Sequence, residues 1–162
     1  MLKDKAALDH EREMGMKIVL LVAMLMLSLS TRGLAQAAER VSVTFATQDD
    51  DKAGSTQVQD HLVCDNHDVA TLICCNAGRD IDHWNVNTTT ARDMTIVEHF
   101  AKGRLAGCHF VFGMKAAGSD TWKVIPSLTV YYDGSRVDWH FPYTVLKSDN
   151  ASTSKTFDLP HQ

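Results

Sequence analysis

The stretch that decides the fold is Leu128-Thr-Val-Tyr-Tyr-Asp-Gly-Ser-Arg-Val-Asp-Trp-His-Phe141, in which an Asp-Gly pair separates two alternating runs. Asp-Gly in this setting is typical of a two-residue hairpin turn, whose central positions both need a positive φ. A turn there places Val130 opposite Val137 and Leu128 opposite Trp139, so that the apolar side chains share one face. The stretch therefore predicts an antiparallel hairpin with a buried face that includes Trp139.

Similar short runs, separated by polar turns, occur through most of the chain. Few stretches have the three-to-four-residue apolar spacing of a helix, and the acidic residues are mostly Asp, which favours turns and caps. About six to eight short strands predict an all-β protein, an antiparallel β-sandwich over residues 38–150, followed by a polar C-terminal tail over residues 151–162. Besides the hairpin, strands are predicted at 41–45, 58–64, 69–75, 94–100 and 105–114.

The N-terminal region has the layout of a secretory signal peptide. A lysine leads into the apolar run Ile18–Leu27, and Ala35-Gln-Ala37 is a small-x-small cleavage site. A membrane anchor is the alternative, but a span needs ~20 apolar residues, and Ser28 ends this run. Residues 1–37 are thus predicted to be upstream residues and a cleaved signal peptide. The mature protein would be secreted or periplasmic, with no stable membrane span.

The charge pattern argues against nucleic acid as a partner. The chain has a formal net charge of −4, and its basic residues are scattered singly along the sequence. A protein that binds nucleic acid needs a basic face to neutralise phosphates. We therefore expect no nucleic-acid partner.

Four cysteines follow the predicted cleavage site: Cys64, Cys74, Cys75 and Cys108. In an oxidising compartment an even count predicts two disulfides that staple the domain. Because a bridge between the neighbours Cys74 and Cys75 is strained, we expect each of them to pair with one of the other two cysteines. A zinc site that adds His83 or His109 to the cysteines is the alternative, although the spacing matches no tight Cys-x-x-Cys pattern.

An acidic run, Asp49-Asp-Asp51, lies in a polar loop after the first predicted strand. Calcium takes about six to eight oxygen ligands, chiefly from carboxylates, carbonyls and water. The run predicts a calcium site formed by Asp49, Asp50, Asp51 and Asp120, with Asp149 as another residue that a loop at the same end could supply. The alternative is a solvated acidic loop that protects a sheet edge.

Several segments resemble the PLAT, or lipoxygenase-homology, domain. Val41-Ser-Val-Thr-Phe-Ala-Thr47 and the loop Asp49–Thr56 are similar to that family's first strand and loop. Leu105-Ala-Gly107, Gly118-Ser-Asp-Thr-Trp122 and Leu128-Thr-Val130 are similar to its second half. The resemblance implies an eight-stranded sandwich that docks on lipid or on protein partners, often with the help of calcium.

A second candidate binding site surrounds Trp84. Its ring would be a platform for a sugar, with Asp80, Asp82 and His83 beside it. The alternative is a single tryptophan that anchors a long loop to the core.

No sequence motif of a hydrolase is present: there is no Gly-x-Ser-x-Gly elbow and no His-Glu-x-x-His pair. The sequence favours a small, non-catalytic, secreted binding module whose extracellular ligand is a lipid surface, a protein or a glycan. The alternative is a small secreted hydrolase or metal-dependent enzyme that uses a histidine and aspartate cluster around Asp80–His83 and His109.

Overall fold

The computed structural model describes residues 36–75, 84–149 and 151–160. The predicted signal peptide, apart from its last two residues, lies outside these ranges. No helix in the described part of the chain is long and apolar enough to cross a membrane. The described residues form nine strands and a short 3₁₀-helix, Lys102–Leu105: β1 Arg40–Thr47, β2 Gln57–Cys64, β3 His67–Cys74, β4 Thr89–Ile96, β5 His109–Lys115, β6 Ser119–Tyr132, β7 Ser135–His140, β8 Thr144–Asp149 and β9 Ser152–Asp158.

All nine strands belong to one antiparallel sheet that curls into a half-barrel. The order is β7-β6-β1-β4-β3-β2-β5-β9, and β8 pairs with β6 beside β7. The strand β4 joins a half that contains β1, β6, β7 and β8 to a half that contains β2, β3, β5 and β9, because it pairs with β1 along most of its length and with β3 only at Ile96 and Thr95. The all-β antiparallel class is confirmed. The sheet has nine strands where we expected about six to eight, and it is continuous because β4 belongs to both halves.

The hairpin predicted from residues 128–141 is confirmed. Val130 pairs with Val137 and Leu128 pairs with Trp139, and all four side chains are buried. One detail was wrong: within this turn only Gly134 has a positive φ, 67°. Positive φ at both central residues occurs instead in the β2–β3 turn, at Asp65 and Asn66.

The core is closed by aromatic side chains from both halves of the sheet. Phe45 on β1 stacks on Trp84 with ring centroids 4.9 Å apart, and it lies 5.3 Å from Trp122 on β6. Phe112, from β5 in the other half, is 5.8 Å from Phe45 and 5.3 Å from Trp122. Contacts between rings in offset or tilted arrangements add to the gain from apolar burial, so this cluster holds the half-barrel together.

The C-terminal segment is part of the sheet, and our expectation of a polar tail was wrong for residues 152–158. The strand β9 pairs with β5 along its whole length. Phe157 stacks on Phe141 at 4.6 Å between ring centroids, and Leu159 is buried. These two apolar side chains fix a segment that is otherwise polar.

One disulfide joins Cys64 to Cys108, with the Cα atoms 4.3 Å apart. The pairing with Cys74 and Cys75 that we expected was wrong. Cys64 ends β2 and Cys108 immediately precedes β5, and the register that pairs Val63 with His109 sets them opposite each other. The two adjacent cysteines lie instead at the end of β3, on the other side of β2.

Candidate functional site

The acidic loop, residues 48–56, is bound to the sheet by ion pairs. Asp49 and Asp50 lie 3.3 Å and 3.8 Å from the Lys123 ammonium on β6. A backbone hydrogen bond and, after it, the hydrogen bond from Lys123 lower the pKa of Asp49. The hydrogen bond to Asp49 in turn raises the pKa of Lys123. Two of the carboxylates that we assigned to calcium therefore have a lysine as their neighbour.

Asp120 fastens the same loop to β6. Its carboxylate accepts a hydrogen bond from the Thr56 hydroxyl and another, at 3.3 Å, from the Ala53 amide. In the described part of the chain, no group of three or more His, Cys, Asp or Glu side chains is placed to hold a metal ion. The structure does not gather Asp49, Asp50, Asp51 and Asp120 into one cluster, and calcium binding stays a prediction.

A fully buried lysine, Lys52, lies under this loop. Its ammonium donates hydrogen bonds of 2.9 Å to the carbonyls of Ala53 and Thr56, and it lies 4.9 Å from the centre of the Trp84 ring. A buried charge is tolerated only where hydrogen bonds and aromatic faces replace water. We did not predict this burial from the sequence, because a lysine after three aspartates is usually solvated.

Trp84 is a core residue, so the exposed platform that we expected from it is wrong. Its side chain is only 4% exposed. One neighbour is the stacked ring of Phe45, and the cations of Lys52 and Arg92 lie over the ring at 4.9 Å and 5.6 Å. The companion residues Asp80, Asp82 and His83 lie outside the described residues.

The histidine and aspartate cluster of the alternative enzyme hypothesis is only partly visible. His109 lies on β5 opposite Asp158 on β9. The other members that we named, around Asp80–His83, fall outside the described ranges. This alternative stays a prediction.

A cavity of about 390 Å³ opens at the other end of the strands. The strand β2 begins at Gln57 beside the acidic loop and ends at Cys64, whose disulfide partner Cys108 follows the 3₁₀-helix. The acidic loop and the cavity are therefore separated by the length of the sheet. We call this space the Trp139 cavity, and its walls include Lys102, Leu105, Ala106, Val137, Trp139 and Pro160.

Three distant segments build the Trp139 cavity. The 3₁₀-helix is anchored by buried Leu105, and the Cys64–Cys108 disulfide holds the chain that follows it. The strand β7 contributes Val137 and Trp139, which the hairpin register turns inward. The chain after β9 is held by a 3.0 Å hydrogen bond from the Leu159 amide to the Cys108 carbonyl. The cavity is thus framed by a disulfide and by backbone hydrogen bonds.

The charged side chains beside the cavity differ in whether they form ion pairs with other described residues. Arg104 binds Glu98 at 2.5 Å and Asp65 at 2.9 Å. The hydrogen bonds to these two carboxylates raise the pKa of Arg104. Lys102, which lines the cavity, is exposed and forms no ion pair with any described residue.

Two buried polar groups near this end have no hydrogen-bond partner among the described residues, the Trp139 indole N–H and the Tyr132 hydroxyl. Burial raises the pKa of Tyr132 to about 12. The burial of Trp139 was predicted from the hairpin pattern, whereas its position in the wall of a cavity was not. The alternation that predicts a buried side chain says nothing about whether the space beside it is filled.

Comparisons with protein-family models, with curated proteins and with solved structures find no match to this chain. The resemblance to PLAT domains therefore stays a prediction.

Proposed function

We propose that this protein is a non-catalytic binding module and that the Trp139 cavity is its ligand site. The observation that carries this proposal is the cavity itself. Its volume of about 390 Å³ lies within the range of about 300–1,000 Å³ that is usual for small-molecule sites. Mostly apolar walls with one aromatic side chain and one cation are also typical of such sites.

The proposed ligand is a small apolar molecule with one anionic end, such as a medium-chain carboxylate. Leu105, Val137 and Trp139 would remove its apolar part from water, at a gain of roughly 25 cal/mol per Å² buried. Lys102 would pair with the anionic end. A charged pair at a partly exposed rim adds specificity more than affinity, so the apolar contact is expected to dominate binding.

We also propose that the protein works after export, as a secreted or periplasmic protein. Support comes from the predicted signal peptide and from the Cys64–Cys108 bond, since disulfides persist mainly in oxidising compartments. A PLAT-like sandwich that docks on lipid with the help of calcium at the acidic loop is a separate hypothesis. It does not depend on the Trp139 cavity.

A titration with decanoate tests the ligand site. The variant Ala106→Phe places a ring at the cavity wall and is expected to weaken binding at least tenfold. Its matched control, Ala117→Phe, changes an exposed alanine near the acidic loop and is expected to bind as the wild type does. Equal affinity in both variants, or no binding of decanoate to the wild type, would overturn the proposal.

The role of Lys102 is tested by comparing decanoate with the neutral decanol. Lys102→Gln is expected to weaken decanoate binding severalfold and to leave decanol binding unchanged. Lys147→Gln, an exposed lysine on β8, is the control and is expected to change neither. A loss of both ligands in Lys102→Gln would show that this side chain shapes the cavity and does not select charge.

A further inference from the structure

Two adjacent cysteines lie where β3 ends. Successive side chains of a regular strand point to opposite faces, which keeps neighbouring sulfur atoms apart. The strand stops at Cys74, and Cys75 has a φ of 67°. With the alternation broken at this point, the Cys75 side chain comes within hydrogen-bonding reach of the Cys74 thiol.

The positive φ of Cys75 is a costly conformation. Residues other than glycine rarely adopt it, and those that do are mainly Asn and Asp. Such strained residues persist only where their surroundings enforce them, and they cluster at functional sites. A cysteine held in this conformation beside another cysteine therefore indicates that the thiol pair has a role of its own.

The pair lies against a buried carboxyl group. Cys74 pairs with Val58, two residues before Asp60 on β2, and Cys75 is close enough to Asp60 to affect the pKa of its carboxyl. Asp60 is fully buried, and its Oδ1 atom accepts a 3.1 Å hydrogen bond from the Gly113 amide. Its Oδ2 atom has no hydrogen-bond partner among the described residues. The surroundings are therefore dry, and they favour neutral sulfur over thiolate.

The chain leaves these two cysteines few other partners. It has four cysteines, and the other two are joined to each other. In an oxidising compartment, Cys74 and Cys75 would be oxidised with each other, with a small thiol or with a second copy of the chain. Their contact within one protein favours the first outcome. We expected such a bridge to be strained, but the backbone at Cys75 has already left the strand conformation, with a φ of 67°.

We propose that Cys74 and Cys75 close into a vicinal disulfide in the mature protein. The oxidant is a disulfide, either of a small thiol or of a thiol oxidase. The half-buried Cys74 gives up its proton to the departing sulfur as it attacks that disulfide, forms a mixed disulfide and releases one thiol. The Cys75 sulfur then attacks the Cys74 sulfur, the mixed disulfide breaks and a second thiol leaves. Two electrons and two protons pass from the cysteines to the oxidant, and this chain keeps one new S–S bond.

Mass spectrometry tests this proposal on the mature protein after equilibration in a glutathione redox buffer. The protein is alkylated without reduction and then digested. We expect the peptide that contains both cysteines to be unalkylated and to lack its two thiol hydrogens. Alkylation of both residues while Cys64–Cys108 stays closed would overturn the proposal. A stable glutathione adduct at this peptide, or a covalent dimer through it, would also overturn it.

A pair of variants separates ring closure from general oxidation. In Cys75→Ser the ring cannot form, and Cys74 is expected to become alkylated or to carry glutathione. In the Cys64→Ser, Cys108→Ser double variant the other bond is lost, and the Cys74–Cys75 peptide is expected to remain closed. An open pair in a folded double variant would overturn the proposal that these two cysteines close with each other. If the double variant does not fold, the alkylation of the wild-type peptide alone tests whether Cys74 and Cys75 are joined.

Discussion

The two ends of the half-barrel treat polar and charged side chains in different ways. At the acidic loop, Lys123 pairs with Asp49 and Asp50, and the buried ammonium of Lys52 is bound by two carbonyls. At the other end, apolar walls leave a cavity of about 390 Å³, and the lysine beside it has no ion pair with a described residue. At the first end there are many charged side chains, and these lysines and aspartates already bind other groups of the protein. At the second, Arg104 pairs with Glu98 and Asp65, and Lys102 borders an unfilled cavity.

A cluster of charged residues in a sequence is therefore weak evidence for a ligand-binding site. Exposed charged side chains often form ion pairs with nearby opposite charges of the same protein, and each such pair changes the free energy of unfolding only slightly. A cavity forms where apolar surfaces from distant segments meet without filling the space between them. We therefore place the proposed ligand site in the unfilled space and not at the acidic run.

The largest difference in stability is expected between variants of two tryptophans, Trp84 beside the acidic loop and Trp139 in the cavity wall. Trp84 is packed among aromatic rings, so Trp84→Ala should lower the free energy of unfolding by about 3–5 kcal/mol. Trp139 borders empty space and has fewer packing partners to lose, so Trp139→Ala should cost less. Denaturant unfolding of both variants measures the difference. An equal or greater loss in Trp139→Ala would break the contrast.

The second effect concerns Asp60, a fully buried carboxyl group on β2. Burial raises the pKa of Asp60 well above its ordinary value, and no cation lies among the causes of this shift. An Asp with a raised pKa contributes stability below its unfolded pKa of about 3.9, and this is lost as pH rises toward the folded pKa. In that window the free energy of unfolding should fall by about 1.4 kcal/mol per pH unit.

The variant Asp60→Asn removes this titration and keeps the shape of the side chain. Its stability should depend less on pH, and near neutral pH it should exceed that of the wild type. Unfolding in denaturant between about pH 4 and pH 7 provides the measurement. Parallel curves for the two proteins would contradict a raised pKa of Asp60 in the folded state.

A third, smaller effect tests the turn that positions the cavity wall. Gly134 has a positive φ and open space around its Cα, so Gly134→Val should cost more than ~1 kcal/mol through backbone strain alone. Gly118 also has open space but no positive φ, so Gly118→Val is the matched control and should cost less. A similar cost in both variants would contradict the strain argument.

The smallest effect is expected from calcium. Because Lys123 already lies beside Asp49 and Asp50 and offsets one of their two negative charges, adding calcium in place of a chelator should leave the melting temperature nearly unchanged. Lys123→Gln should increase the response, since it leaves the carboxylates without their cation. A rise of several degrees in the wild type, lost in the Asp50→Asn, Asp51→Asn double variant, would instead support the calcium hypothesis.

Much of the fold could be predicted because its decisive signals are local. The Asp133-Gly134 turn and the alternation around it set the register of β6 and β7, including the buried position of Trp139. The disulfide pairing could not be predicted in the same way. It depends on β2 and β5 being neighbours, a contact between segments that are far apart in sequence.

The candidate site was hidden from the sequence for a similar reason. Ala106, Val137 and Pro160 lie on three separate segments, and none of them is unusual where it stands. Lys52 and Asp60 were missed because a charged residue in a strand or loop is normally solvated, whereas here the local fold covers both. Sequence patterns predict which face of a strand is buried, and they do not reveal gaps in packing or buried charges.

An NMR titration that observes the indole N–H signals of the three tryptophans during addition of decanoate tests most directly whether the Trp139 cavity is the ligand site. Trp84 and Trp122 lie in the aromatic core, and Trp139 lines the cavity. Binding at the Trp139 cavity should shift the Trp139 signal progressively to saturation and leave the other two nearly unmoved. A larger shift at Trp84, or no shift at any tryptophan at saturating decanoate, would contradict the assignment of the ligand site.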